Sequence, residues 1–318
     1  MAEKKTIAVV GATGSQGGGL VRALLEDGGF GVRALTRDPS SGKGAALADA
    51  GAEVVAADLD DEDGLAEAFD GVHGAFVVTN YWAPLTPEQE AGRSRAQREL
   101  DQARAAARAL ERVGARHVVW STLEDTRSRF VDDTVIPDVE GYKVPHFDAK
   151  AEADRFFAGI PTTYLRSTLF YENFASSFPP VPAEDGTLTL SIPMADRPLA
   201  AVAVEDIGRT ALGVFRRGEQ LIGRTVSIAG DILTGDGYAA ALTEALGRPV
   251  SYRPMTFDAF RAQGFPSAVE MGNMFQYYAE DSAAFTGDRD LERVRELNPG
   301  LQSFQDWLAR HRDEIPVP

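Results

Sequence analysis

Two basic side chains stand four residues apart in Pro145-His146-Phe147-Asp148-Ala149-Lys150, the spacing that puts both on one face of a helix. An ammonium there can hydrogen-bond a ribose, lower the pKa of a neighbouring acid or stabilise negative charge on a substrate oxygen. An imidazole can relay a proton. The plainer reading is a half-buried histidine beside a lysine that snorkels to solvent. Lys150 is the better candidate for work on a ligand; for His146, chemistry and structure are equally good readings. Ser121 and Thr122, which end an apolar run, can bring a hydroxyl to the same place.

A second group lies at the start of the chain. Ile7-Ala8-Val9-Val10 runs straight into Gly11-Ala12-Thr13-Gly14-Ser15-Gln16-Gly17, and helical spacing follows in Leu20, Val21, Leu24 and Leu25. That is a buried strand, a tight turn and a helix start. Gly11 lets the chain reverse, Gly14 leaves room for a pyrophosphate to touch backbone, and Gly17 lets the helix sit close on the sheet. Such turns also serve as plain connections. The apolar run before this one and the helix after it favour a dinucleotide site.

Arg37 follows Gly17 by twenty residues, at the end of the second strand. A carboxylate there grips the ribose hydroxyls of NAD, whereas an arginine suits the extra phosphate of NADP, so NADP(H) is expected in preference to NAD(H). Arg33 and Lys43 are weaker helpers. Asp58 and Leu59 end the third strand, where they can meet an adenine, and Asp58 reads equally well as a helix cap. Thr79 and Asn80 end the fourth strand, with Tyr81 and Trp82 behind them, ready to meet ribose or to close the core.

The elements that must position these groups are strands near residues 7–10, 32–37, 51–58, 75–79, 117–122 and 162–166, alternating with helices. A single long helix is expected over 88–113, and a proline-led one over 145–157. This rhythm predicts an α/β fold, a Rossmann-like doubly wound parallel sheet. Beyond Gly230 the rhythm changes, which predicts a smaller, discontinuous C-terminal α/β lobe. The expected division is a dinucleotide-binding domain over 1–173, with 199–230 returning to it, and a substrate-side lobe over 174–198 and 231–318. In that lobe Met271, Met274, Phe275, Tyr277 and Tyr278 recur at near-helical spacing. Core packing explains most of them, and a remainder can wall a small apolar pocket.

Composition narrows the rest. A net charge of −16 repels phosphate backbones, and the densest basic run, 93–116, is interleaved with Glu99, Asp101 and Glu111 as on a solvated helix face. No direct nucleic-acid partner is expected. Cysteine is absent and the four histidines are scattered, so no metal site is expected. Neither a leader segment nor a membrane span is readable, and a cytoplasmic protein, monomer or homodimer, is the expectation.

Together, Gly11-Ala-Thr-Gly-Ser-Gln-Gly17, Arg37-Asp38-Pro39, Ala56-Ala57-Asp58-Leu59, His146-Phe-Asp-Ala-Lys150 and Leu169-Phe170-Tyr171-Glu172-Asn173-Phe174 resemble the NmrA-like family of atypical short-chain dehydrogenase/reductases. The likeness covers nearly the whole chain and is closest to the NADPH-sensing branch. It implies Gly11, Thr13, Gly14, Ser15, Gln16 and Gly17 around the phosphates, Arg37 on the 2′-phosphate and Lys150 near the nicotinamide ribose. It also implies Leu169, Phe170, Tyr171, Asn173 and Phe174 at the nicotinamide end. Catalytic short-chain dehydrogenases carry a tyrosine four residues before that lysine, and His146 stands there instead. Tyr142 reaches the site only if its loop folds back. Two functions follow from the resemblance: a redox sensor acting on a regulatory protein partner, or an NADPH-dependent reductase of a small apolar substrate such as a quinone, enone or carbonyl compound, using Lys150.

Overall fold

The computed structural model describes residues 4–130, 136–184 and 186–317. Short apolar runs separated by amphipathic helices fold as βαβ units, because each parallel strand needs a covered crossover to reach its neighbour. The strands are β1 (Thr6–Val9), β2 (Gly31–Thr36), β3 (Glu53–Ala56), β4 (Gly74–Val77), β5 (His117–Thr122) and β6 (Thr162–Arg166). They are followed by β7 (Leu169–Phe170), β8 (Val181–Pro182), β9 (Leu188–Leu190), β10 (Leu199–Val202), β11 (Thr225–Ser227), β12 (Asp231–Leu233) and β13 (Val250–Tyr252). Seven form one parallel sheet in the order β11-β6-β5-β4-β1-β2-β3. The order reverses between β1 and β4, and a crevice opens there at the carboxyl ends of the strands.

Both faces of the sheet are covered. On one, helices Glu62–Phe69, Arg95–Arg112 and Pro145–Phe157 bury Leu65, Leu100, Ala103, Ala153 and Phe157 against Val77, Val118 and Trp120. On the other, Ser15–Asp27 and Val204–Arg217 bury Leu20, Leu24, Ile207 and Val214. These two helices approach so closely that a Cβ on Gly208 would lie 2.3 Å from the Leu20 amide. The helix behind the glycine turn is thereby fixed from its outer side as well.

The expected helix over 88–113 is two helices, Pro87–Gly92 and Arg95–Arg112. Arg93 is extended at φ −162°, and the Ser94 hydroxyl accepts from the Gln97 amide, so a new N-cap interrupts what otherwise reads as one periodic run. Glu99 is not on a solvated face: it is 1% exposed, on the stripe that buries Ala96, Leu100 and Ala103. In the aspartate-rich stretch 125–138, Arg127–Phe130 is a short helix and 131–135 lie outside the described residues.

The remaining strands form two small sheets, β12-β10-β7 and β13-β9-β8. Around them a third core gathers Phe174, Tyr238, Phe275, Phe304 and Trp307, with helix Ala268–Glu280 passing over the crevice end of the main sheet. Among the described residues no helix is long and apolar enough to cross a membrane, and no cluster of three or more potential metal-ligating side chains occurs.

Candidate functional site: a cleft along the carboxyl edge of the sheet

The crevice is a cavity of about 750 Å³. At one end is the glycine turn. Gly11 takes φ +66°, a conformation costly for any residue with a Cβ, and its carbonyl accepts from the Gly14 amide at 2.8 Å. A Cβ on Gly17 would sit 2.4 Å from that carbonyl. The turn therefore presses the first turn of helix Ser15–Asp27 against the strand end. Gly14 caps this helix without a side chain, which leaves its first N–H groups without intrahelical partners. Thr13, Ser15 and Gln16 line the same wall. The Ser121 hydroxyl donates to Gln16 Oε1 at 2.7 Å, tying the turn to the end of β5. A turn packed too closely at Gly17 for a Cβ, opening on helix amides that have no intrahelical partner, fits a pyrophosphate.

Arg37 stands exposed at the edge of this cavity and makes no hydrogen bond or ion pair among the described residues. Asp38 does not compete with it: its carboxylate accepts from the Ser40 hydroxyl at 2.6 Å and the Ser40 amide at 2.9 Å, bonds that hold it below the usual carboxylate range. Arg33, by contrast, is committed elsewhere, bonding Glu53 at 2.8 Å and the carbonyls of Ala68 and Asp70. Lys43 is not on the cavity wall. Asp58 and Leu59 line the cavity, and the cap of helix Glu62–Phe69 is Asp61, not Asp58. Asp58 instead accepts from the Asp60 amide.

Toward the other end the wall becomes buried and its polar groups are already paired. Lys150 is 8% exposed, and its Nζ donates to Glu99 Oε1 at 2.5 Å, Thr79 Oγ1 at 2.7 Å and the Thr79 carbonyl at 3.2 Å. Three acceptors match the three N–H groups of an ammonium, and the carbonyl bond is the longest. The Thr79 hydroxyl in turn donates to Glu99. The Lys150 ammonium also lies 5.3 Å from the centre of the Trp120 ring. Asn80 lines the cavity beside Thr79, its side chain accepting from the Trp82 amide.

His146 shares the cavity wall, held from the C-terminal lobe. Glu270, 3% exposed, accepts from His146 Nδ1 at 2.6 Å and from the His146 amide at 2.9 Å. One carboxylate thus fixes the imidazole and caps the helix that carries Lys150, while its other oxygen faces the Tyr81 hydroxyl at 3.4 Å. The ring packs against Trp82 and Phe147, about 5 Å from each.

Three residues expected at this end lie elsewhere, Tyr142, Tyr171 and Phe174. Tyr142 donates to Glu152 at 2.9 Å and is not on the cavity wall; burial, with the Glu152 hydrogen bond and charge, pushes its phenol up to about 12. Tyr171 is fully buried against Phe304 and Trp307, with its hydroxyl toward the Gln302 carbonyl. The reason is local. Tyr171–Phe174 is a 3₁₀ turn, in which residues three apart share a face. Phe170 and Asn173 therefore face the cavity with Leu169, while Tyr171 and Phe174 face the lobe core. From helix Ala268–Glu280, Met271, Met274 and Tyr278 reach the cavity, whereas Phe275 and Tyr277 belong to the core.

Glu99 and Glu270 are the site residues that the sequence reading missed. Glu99 carried a signal, since it continues the Ala96, Leu100, Ala103 stripe of its helix. Glu270 carried none, because its partner is 124 residues away.

The sequence profile of the NmrA-like family matches residues 3–308. This chain belongs to the NmrA-like family. It is 30% identical over 327 residues to the NmrA-like family domain-containing oxidoreductase FrzB of Cladobotryum sp, an alignment covering 96% of each chain. Among solved structures it resembles NmrA, a negative transcriptional regulator. The NAD complex of NmrA has a TM-score of 0.76 and its NADP complex 0.75, each at 24% identity over 96% of this chain and 95% of that one. The NADPH-dependent quinone oxidoreductase QOR2 of Escherichia coli shares the fold at a TM-score of 0.71 and 22% identity, over 95% of this chain and 98% of the other.

Proposed function

We propose that this chain binds NADP(H) along the carboxyl edge of its sheet and acts as a sensor of the NADP(H) pool, passing its state to a protein partner. The observation that carries the cofactor assignment is Arg37, an exposed guanidinium with no partner among the described residues, on the same cavity wall as a glycine turn in which Gly17 leaves no room for a Cβ. Such a fork suits a 2′-phosphate, while Asp38, held by Ser40, is not free to grip ribose hydroxyls. The phosphates would lie on the turn formed by Gly11, Thr13, Gly14, Ser15, Gln16 and Gly17. Asp58 and Leu59 would flank the adenine, and Thr79, Asn80, Lys150, Phe170 and Asn173 the nicotinamide half. The sensor reading rests on the contact that joins the cleft to the C-terminal lobe, in which Glu270 accepts from His146 Nδ1. Tyr142 and Tyr171 turn their hydroxyls to Glu152 and the Gln302 carbonyl, away from this chamber around Lys150 and His146.

A second reading, an NADPH-dependent reductase, is favoured by the wall that Phe178, Met271 and Met274 build near Lys150. FrzB and QOR2 are themselves oxidoreductases. A bound nicotinamide would supply hydride. Lys150 would stabilise charge on the accepting oxygen, turning one N–H from the Thr79 carbonyl, its longest bond. Calorimetry with NADP⁺, NADPH, NAD⁺ and NADH tests the shared cofactor claim, with tighter binding of the phosphorylated pair expected. A screen of NADPH oxidation against quinones, enones and small ketones separates the two readings. Tight binding without turnover, accompanied by altered hydrogen exchange in helix Ala268–Glu280, supports the sensor. Turnover that is abolished in Lys150→Ala at saturating cofactor and kept within about tenfold in His146→Phe supports the reductase.

A further inference from the structure

A side cavity of about 600 Å³ adjoins the cleft and shares four of its residues, Trp82, Ser177, Phe178 and Met271, which form the partition between the two spaces. Its outer rim carries Phe265. Trp82 and Phe265 are 41% and 37% exposed and, with Val181, are the large apolar side chains left exposed among the described residues. Two of these three converge on one concavity, which is not the pattern of scattered surface apolar residues. The loop that holds Trp82 is also fixed. Arg95 donates to the carbonyls on either side of that residue, Tyr81 at 3.1 Å and Ala83 at 2.8 Å, and to Glu90 at 2.8 Å. An indole left exposed on a pinned loop is ready to receive a flat apolar surface. With Arg95 paired to Glu90, this cavity presents no uncompensated charge from either residue, so the matching ligand is uncharged.

We propose that the side cavity is a binding site for an uncharged, ring-bearing molecule, held between Trp82 and Phe265 and admitted beside the cleft without displacing a dinucleotide. The volume is within the range of small-molecule sites. None of the residues that face the glycine turn lines this cavity, so the two ligands have separate walls except at the partition. The site extends beyond the sensor and reductase readings and does not depend on either.

The probe is 2-naphthol, titrated by calorimetry into the protein alone and into protein with saturating NADP⁺. The expected result is binding in both states with affinities within about twofold of each other. Phe265→Ser should weaken 2-naphthol binding about tenfold, equivalent to about 1.4 kcal/mol. Phe265→Trp, which keeps an aromatic ring on the rim, should retain it, and neither substitution should change the NADP⁺ affinity. Failure of 2-naphthol to bind, competition between it and NADP⁺, or binding indifferent to Phe265→Ser would overturn the proposal. A protein that binds 2-naphthol but no dinucleotide would support this site while refuting the NADP(H) assignment.

Discussion

The two ends of the cleft treat charge in opposite ways. At the glycine turn Arg37 is exposed and makes no contact among the described residues, and the helix amides are without side-chain caps. At the chamber end Lys150 and His146 are buried and held by carboxylates that are themselves buried, Glu99 and Glu270. A charge in water costs little to leave waiting, whereas one removed from water must be matched before any ligand arrives. The first end is therefore built to add interactions on binding. The second is built to hold geometry, and a ligand there has to exchange with a bond already made.

Breaking the Lys150 pair tests this contrast most severely. Glu99→Ala leaves an ammonium in a nearly closed site with Thr79 alone, and a loss of about 3–5 kcal/mol is expected in urea denaturation. Adding Lys150→Met should recover part of that loss. A change below about 1 kcal/mol in Glu99→Ala would show that the pair is not the buried, matched unit described above.

Acid should expose a further buried group, placed away from the cleft. His117 is 2% exposed, and burial, with the charge of His73 and Lys5, depresses it from 6.5 to about 4. Thr163 donates its hydroxyl proton to the Leu221 carbonyl, so its oxygen accepts from His117 Nε2–H and the ring is neutral. Between pH 6.5 and 4 the unfolded chain binds this proton and the folded one does not. Stability is therefore full above the unfolded pKa and falls as pH drops toward 4, by about 3 kcal/mol at ~1.4 kcal/mol per unit. His117→Gln should flatten that slope relative to the parent, and parallel pH profiles would contradict the assignment.

Removing Glu270 should act more gently, because only hydrogen bonds are lost. Glu270→Ala leaves the buried His146 amide unmatched, for an expected loss of about 1–3 kcal/mol. Faster hydrogen exchange at the start of helix Pro145–Phe157 should accompany it. Unchanged exchange there would mean that Glu270 does not cap the helix.

The same contrast governs what the sequence discloses. The glycine turn, Arg37 and the alternating strands are local patterns, and the parallel sheet and the cleft walls that they form can be read from neighbours along the chain. The chamber depends on distant contacts. Lys150 and His146 were identifiable by their four-residue spacing, but the groups that hold them come from positions 51 and 124 residues away. Tyr171 is misplaced for a different reason: the resemblance implies Leu169, Phe170, Tyr171, Asn173 and Phe174 together at the nicotinamide end, whereas the 3₁₀ turn sends Phe170 and Asn173 to the cavity and Tyr171 and Phe174 to the core. The helix over 88–113 was read whole because its periodicity persists through Ser94, where a serine N-cap restarts it.

The central claim is that the open end of the cleft recognises the 2′-phosphate of NADP(H) through Arg37. The direct measurement is the ratio of NAD⁺ to NADP⁺ dissociation constants by calorimetry, in the parent protein and in Arg37→Ala. The account predicts a ratio well above one in the parent. In Arg37→Ala, NADP⁺ should bind about tenfold or more weakly, as expected for loss of a charge-assisted contact of about 1.5–3 kcal/mol, with NAD⁺ within about twofold of the parent. Equal affinities in the parent, or a preference that survives the substitution, would contradict it.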